Sequence, residues 1–547
     1  MKNGSIRLDV VDQIWENYLD YLERSPYSIS RLVRNLSPRF SISNIEYVRV
    51  EHLSYTLWGF QEKILERIVG DTLIVGLPTG LGKTYIAGAF LRKISLEKPI
   101  RVLFLAPSVP LGVQQTLFAR EKLNVEAYFI SGELPRDRRA ELKVWNAGFV
   151  ICTPQTFFND ILSDYREQLI AARSMDNPTR FLRDHGLIDF PYDVVIADEC
   201  QRYVGLTDGY SILLAARASG SRILALSATP MLHDPRRYSE LRKIFDDIQV
   251  FSVEDPEIEK SIPRRVLKIV EVELPSKVKL LYNTLIRISD NVIHEIRASY
   301  GASHEYMGCD EHDECRKAKS LRILASRLVE DGASSIIRYQ TWRLPEVKRK
   351  YPGIDISPYR LFLEALKDTP NHKLEPLLTI LSKSRFDKAI VFVESIQAAK
   401  QIGALLQDIY GVDRVAILVG KEMMDLARQT AALLHFKSKA RILVATSVAE
   451  EGLDVPSADL EIWVDPPSNP RKWIQRFGRI LRQPGGKKEA VTYAIVSRDT
   501  HERGKLRSIS RKAARYYGFT QMMLEEDLVK QKYLTNLLYR DDLKSEG

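Results

Sequence analysis

"GLPTGLGKT", Gly76 to Thr84, joins the apolar run "TLIVGL" (72–77) to the helical stretch "KTYIAGAFLRKIS". A glycine-rich turn between a strand and a helix, closed by Lys-Thr, is the arrangement that wraps backbone N–H groups around phosphate oxygens. Gly80 and Gly82 let the backbone curve, with Thr79 inside the same loop. Lys83 is placed to reach the β- and γ-phosphates of ATP, and Thr84 to hold Mg2+ through its hydroxyl. The common spacing puts glycine where this chain has Leu77, so the loop departs from the generic pattern at its head.

Outward from this loop, short β-branched runs alternate with helical stretches in two blocks. The first holds 101–107, 125–131, 149–154, 194–199 and 223–230; the second holds 388–395, 414–420, 440–447, 460–465 and 490–497. These runs are continuously apolar rather than alternating, which marks strands buried on both faces of a parallel sheet. The predicted fold class is α/β, with two tandem doubly wound domains. Between them, apolar residues such as Leu321, Leu324 and Leu328 recur at three- and four-residue steps, predicting an inserted all-helical domain over 275–375. The remaining boundaries are accessory helices over 1–50, a first α/β domain over 51–255, a second over 256–274 and 376–519, and a helical tail over 520–547.

Composition fits this plan. The 547 residues are 45% hydrophobic and 28% charged, enough for large cores, and the net charge of +9 favours a polyanionic partner. Four cysteines exclude a disulfide-built scaffold and fit a reducing, cytoplasmic compartment. No run of about 20 apolar residues spans a membrane, and the N-terminus lacks an apolar signal core.

Further motifs extend the nucleotide reading. Asp198 and Glu199 end a buried strand, where open α/β sheets bind ligands. Asp198 suits Mg2+ and Glu199 the attacking water. Ser227 and Thr229 in "SATP" offer hydroxyls that link this site to a second ligand. In "QRFGRILR", Gln475, Arg479 and Arg482 fall at i, i+4 and i+7, one face of a helix, where arginine stabilises charge in phosphoryl transfer. Gly452 and Asp454 follow another strand and suit a nucleotide approached from the second domain. From Arg471 to Gly518 there are fourteen Lys/Arg against three acids, ending at Tyr516 and Tyr517, a candidate phosphate-binding surface. "HEYMGCDEHDEC" (304–312 and on to Cys315) lacks the spacing of common zinc sites and reads as an acidic exposed loop.

In this order the motifs resemble the superfamily 2 helicases and translocases, over about residues 50–520. "LPTGLGKT", "CTPQT", "DECQRYVG" and "TSVAEEGLDVP" are most similar to the archaeal Hef helicases and to FANCM, while "GRILR" with "GGKKEAVTYAIVSR" is closer to XPB. The resemblance implies two RecA-like domains with ATP between them and an inserted helical domain. It implies that Gln61 reads the adenine and that Arg479 and Arg482 act as arginine fingers. It also implies that the segments 105–115, 131–133 and 153–156, with Pro107, Gly132, Thr153, Pro154 and Gln155, contact a nucleic-acid backbone, joined by Thr446 of the second domain. Gln201 stands where Hef-like proteins carry histidine; Gln keeps one donor and one acceptor but cannot titrate, which predicts retained hydrolysis with altered coupling. Hef also carries a nuclease domain, and no acidic nuclease cluster follows Gly518, so a separate nuclease is the implied partner. The implied activity is ATP-dependent translocation on branched or forked DNA, 3′ to 5′. Two alternatives are an ATPase stimulated by RNA duplex, as in RIG-I and Dicer helicase modules, and a nucleic-acid-binding scaffold with a vestigial ATP site.

Overall fold

A computed structural model of the chain describes residues 8–24, 29–185, 189–205, 207–230, 233–300, 313–330, 332, 366, 369–420, 422–447, 455, 458–481 and 489–526. Seven strands build the first sheet: β1 (Thr72–Gly76), β2 (Val102–Leu105), β3 (Tyr128–Ile130), β4 (Phe149–Cys152), β5 (Val194–Ala197), β6 (Arg222–Ser227) and β7 (Asp247–Val250). Their order across the sheet is β3-β4-β2-β5-β6-β1-β7, every ladder parallel. β1, β2, β4 and β5 are buried at every residue, as their apolar runs require with helices on both faces.

The second sheet contains β8 (Arg264–Val272), β9 (Ala389–Phe392), β10 (Val415–Leu418), β11 (Ile442–Ala445), β12 (Leu460–Trp463), β13 (Glu489–Ser497) and β14 (Met522–Glu526). Its order is β10-β11-β9-β12-β13-β8-β14, again all parallel. The pair of doubly wound parallel sheets matches tandem RecA-like domains. The start of the tail, expected to be helical, is instead the strand β14. The open edge of β8 supplies the unmet backbone hydrogen bonds that draw Met522–Glu526 into the sheet. Residues 527–547 lie outside the described residues.

Two long helices, Ser276–Tyr300 and Asp313–Glu330, lie between β8 and β9 in the chain, within the second domain, and pack on each other. Val278, Leu281, Tyr282 and Leu285 of one meet Leu321, Ala325, Leu328 and Val329 of the other. The pair is anchored to the second domain. The His501 N–H donates to Tyr282 Oη (3.1 Å), Ser326 Oγ lies 3.0 Å from His501 Nε2, and Lys505 meets Glu330 at 3.2 Å. Of the acidic stretch 304–315, Asp313 to Cys315 open the second helix, and 304–312 lie outside the described residues.

Where the chain returns from the insertion, Lys373 is fully buried. Its ammonium donates to Asp465 Oδ1 (3.0 Å), Glu502 Oε1 (2.6 Å) and the Val464 carbonyl (2.8 Å). Burial alone would push this lysine's pKa down, but Glu502 and Asp465 outweigh it and hold it above the usual lysine value. His372 beside it lies 2.7 Å from Ser497 Oγ, and burial, with the neighbouring Lys373 charge, lowers its pKa to about 3. A histidine held neutral in the fold but free to protonate when unfolded near pH 6.5 destabilises the native state as pH falls through that value. His372→Gln is therefore expected to flatten the loss of stability between pH 6.5 and 5 by roughly 1–2 kcal/mol in pH-dependent denaturant melts. An unchanged pH slope would show that His372 does not carry this sensitivity.

Candidate active site

Parallel strands bring their C-terminal ends to one edge. In the first sheet the adjacent strands β5, β6 and β1 present Asp198–Glu199, Ser227–Thr229 and the 77–82 loop side by side. The neighbouring strands β3, β4 and β2 present Gly132, Thr153–Gln155 and Pro107. Strand order thus divides the edge into a half facing the candidate nucleotide and a half holding the residues expected at a nucleic-acid backbone.

Leu77 is fully buried, and its N–H donates to the Ser227 carbonyl at 2.9 Å, one step beyond the β1–β6 ladder. The position that usually holds glycine here extends the sheet and fills the core. Gly80 and Gly82 take left-handed φ values of 90° and 80°, and the Lys83 ammonium donates to the Leu77 carbonyl at 3.0 Å. Gln61 holds this curve from outside. Its Oε1 accepts from the Trp58 N–H (2.8 Å) and its Nε2 donates to the Leu81 carbonyl (2.9 Å).

Asp198 is buried, and its carboxyl accepts from the Glu199 N–H at 2.9 Å. Burial first, then the Glu199 charge, raises its pKa to about 7, against the pull of Lys83. Glu199 adopts a left-handed backbone (φ 51°), a conformation that costs a non-glycine residue on the order of 1–3 kcal/mol. The Gln201 amide donates to the Glu199 carboxylate, while its carbonyl accepts from Ser227 Oγ at 2.5 Å. Ser227 Oγ in turn accepts from the Thr229 N–H at 3.0 Å. A chain of hydrogen bonds therefore runs from Glu199 through Gln201 to "SATP".

The second domain faces this edge with the helix Pro470–Phe477, capped by the Asn469 side chain accepting from the Lys472 N–H at 2.9 Å. Trp473 and Phe477 anchor it against Trp463, with ring centres 4.8 and 5.1 Å away. Gln475 and Arg479 are buried, and both line a cavity of about 490 Å³ shared with Gln61, Lys83, Thr84, Asp198 and Glu199. The expected single helical face is corrected: the helix ends at Phe477, and Arg479 follows in a turn after Gly478. Gly478 itself keeps helical dihedrals (φ −60°, ψ −16°). A Cβ on Gly478 would stand 2.4 Å from Thr79 Cβ and 2.7 Å from the Thr79 carbonyl oxygen, so only glycine lets the domains meet here. Arg482, Gly452 and Asp454 lie outside the described residues.

The expected basic surface is also redistributed. Arg476 is fully buried, donating to the Asp465 carbonyl (2.8 Å) and Glu394 Oε1 (2.7 Å). Arg498 pairs with Glu271 and Glu273, and Arg503 with Glu271. Arg507, Arg511, Lys512 and Arg515 remain exposed on the helix His501–Tyr517. Tyr516 stacks on His233 of the first domain, ring centres 4.5 Å apart and 8° from parallel. Thr446 follows β11, buried, its N–H donating to the Leu418 carbonyl at 3.0 Å.

The cavity fits a nucleoside triphosphate with a divalent cation. The left-handed glycines Gly80 and Gly82 line it, Lys83 and Arg479 bring positive charge from both domains, and Thr79 Oγ1 and Gln475 Oε1 are buried polar atoms without a hydrogen-bond partner. Thr84 and Asp198 supply the oxygen donors that magnesium prefers. One lining residue, Gln115, was placed by sequence only within a nucleic-acid-contacting segment. Its helix carries no motif that marks one residue as turned toward the other half of the edge.

Comparison with known proteins agrees with this layout. The DEAD/DEAH box helicase family matches residues 58–238, and the helicase conserved C-terminal domain matches residues 372–483. A protein of Methanocaldococcus jannaschii, provisionally named an ATP-dependent RNA helicase, is 25% identical over 82% of this chain and 59% of its own length. The DEAD-box ATP-dependent DNA helicase Fancm of Drosophila melanogaster is 24% identical over 79% of this chain and 32% of its own. The ATP-dependent DNA helicase fml1 of Schizosaccharomyces pombe is 24% identical over 81% and 57%. The chain thus spans about six-tenths or less of the length of these relatives. The Pyrococcus furiosus Hef helicase domain shares the fold, with a TM-score of 0.50 and 21% identity over 82% of this chain and 97% of that one.

Gly478→Ala tests the junction. The added methyl has only Thr79 backbone and Cβ to meet, so the cleft is held ajar by about 1 Å. Triphosphate turnover is expected to fall about 100-fold, with nucleotide binding by the first domain retained. Wild-type turnover in this variant would refute the junction's role.

Proposed function

The chain belongs to the superfamily 2 helicases, with both motor domains in order, and on that footing we propose that it is an ATP-driven motor acting on branched or forked DNA. The observation that carries this reading is the shared cavity, where Lys83, Asp198 and Glu199 of one domain face Gln475 and Arg479 of the other. A site split between two bodies converts nucleotide turnover into their relative motion.

Each side chain has a derived role. The loop amides and Lys83 hold the phosphates. Thr84 and Asp198 would hold Mg2+, which when bound offsets phosphate charge. Glu199, fixed by Gln201, orients water for in-line attack, and Arg479 stabilises the charge that builds on the transferred phosphoryl group. Gln201 ties the water-orienting carboxylate to Ser227, so the state of the nucleotide site is felt at the end of β6. Closing presses Gly478 onto Thr79 and sets Thr446 of the second domain against Pro107, Gly132 and Thr153–Gln155 of the first. Opening separates them, and alternation steps the protein along a strand. Relatives named as DNA helicases support DNA as the track. The archaeal relative named as an RNA helicase favours duplex RNA as the second reading. No helix among the described residues is long and apolar enough to cross a membrane.

The deciding experiment measures ATPase rate and strand displacement over single-stranded, duplex, forked and four-way DNA beside duplex RNA. Forked or four-way DNA should stimulate most; stronger stimulation by duplex RNA would move the reading to the RNA class. Lys83→Ala should lower turnover by more than about 100-fold, and a variant as active as wild type would leave only a scaffold role. Gln201→Ala removes the bridge from Glu199 to Ser227, worth about 1.5 kcal/mol or about tenfold in rate. That loss is expected in the DNA-stimulated rate, with a smaller loss in the basal rate. Equal losses in both would remove Gln201 from the coupling path.

A further inference from the structure

We propose that Gln115 is an outer-sphere ligand of the divalent cation, its side-chain carbonyl accepting a hydrogen bond from a metal-bound water; this rests on the nucleotide-site reading above. Gln115 lines the shared cavity yet is only 3% exposed. Its Nε2 lies 3.4 Å from Thr84 Oγ1 and 3.4 Å from Asp198 Oδ2, between the two side chains suited to the metal. Its Oε1 is buried with no hydrogen-bond partner. A buried amide carbonyl left unpaired costs about 1–3 kcal/mol, so a partner in the cavity is the natural account of it.

The amide's orientation follows from chemistry. A carboxylate oxygen accepts, so the nitrogen faces Asp198 and the carbonyl is turned away from it. With Nε2 turned to Thr84 and Asp198, Oε1 is the part of this amide still without a partner, an acceptor that suits a water whose hydrogens are turned outward by a cation.

The side chain is also held in place. The helix Val109–Lys122 lies so close to β3 that a Cβ on Gly112 would stand 1.9 Å from the Phe129 ring, and Thr116 Oγ1 donates to the Gly112 carbonyl at 2.7 Å. The same helix starts two residues after Pro107. The six helical steps from Val109 to Gln115 span about 9 Å, a rigid link from the candidate strand-binding half of the edge to the candidate metal site. Gln115 therefore acts as a positioning residue that relates metal affinity to occupancy of the strand site.

The test uses the full chain with Mn2+ as the probe, read by electron paramagnetic resonance in the presence of a non-hydrolysable ATP analogue. Metal-free binding of the same analogue is followed in chelator. Gln115→Leu and Gln115→Met, both apolar and close in volume, are expected to raise the Mn2+ half-saturation point about 10–100-fold. Metal-free binding stays within about threefold of wild type, which reports an intact first domain on the scale of a small change in contacts. Single-stranded DNA should lower the Mn2+ midpoint in wild type and leave it unmoved in both variants. A wild-type midpoint in either variant, or an equal loss of metal-free binding, would overturn the proposal. If wild type itself binds no Mn2+ with the analogue, the nucleotide-site reading fails instead.

Discussion

The contact of Gly478 with Thr79 sets the terms for the rest of the molecule. Backbone meets backbone there, from different domains, with no room for a methyl group. Because neither partner has a flexible end to move aside, the distance between domains is defined at this point. Arg479 follows Gly478 directly, so its reach across the cleft is fixed by the same contact. A side chain delivered from a helix interior would vary with helix rotation. One delivered from the turn after the C-cap is registered against the 77–82 loop itself.

That registration needs a rigid backing, and buried charge provides it. Arg476 is enclosed by Glu394, the Asp465 carbonyl and the rings of Phe392 and Trp463. Asp465 Oδ2 accepts from the Glu394 N–H at 3.0 Å, and Asp465 also accepts from Lys373, which is shared with Glu502. Burying a bare ion pair in this way stabilises little once desolvation is included, but removing one partner is severe. The network's value lies in specifying one geometry: the helix bearing Gln475, the end of β9, the end of β12 and the return from the insertion are held in a single arrangement. Since Lys505 and Glu330 carry the contact onward to the insertion helix, that element is seated on the same frame.

Much of this was legible in sequence because buried parallel strands leave continuous apolar runs, and phosphate loops need glycines beside Lys-Thr. The runs that went unseen, 247–250 and 264–272, carry charged or polar residues at partly exposed positions and lack that signature. Residues 522–526 were read only as part of a helical tail; pairing with the edge of β8 makes them a strand, a partner no local pattern displays. Leu77 was visible as a departure but its meaning was not, since a core-filling residue is recognised only from what surrounds it. The need for glycine at 478 was hidden for a related reason: the close approach that demands it comes from Thr79, almost four hundred positions away. Gln201 showed as a substitution in sequence, while its bridge to Ser227 is a tertiary fact.

The two domains are joined on both flanks as well as at the cleft. On one flank, His233 stacks on Tyr516, and Ser252 Oγ donates to the Gly518 carbonyl at 2.6 Å. On the other, the helix Leu8–Glu23 seats on the second sheet's edge, where the Ile417 N–H donates to Tyr18 Oη at 3.0 Å. Beyond that helix, Ser37 Oγ donates to the Phe129 carbonyl on the first sheet's edge, at 3.2 Å. The N-terminal segment therefore ties β10 to β3, the outermost strands of the two sheets. An exposed ring stack and single hydrogen bonds are each worth about 0.5–1.5 kcal/mol. Polar contacts of this size are weak enough for the proposed opening and closing to break and remake them. Apolar packing is shared across the N-terminal flank as well: Val33 and Leu36 of that segment belong to one buried cluster with Phe129 of the first sheet and Ile417 of the second.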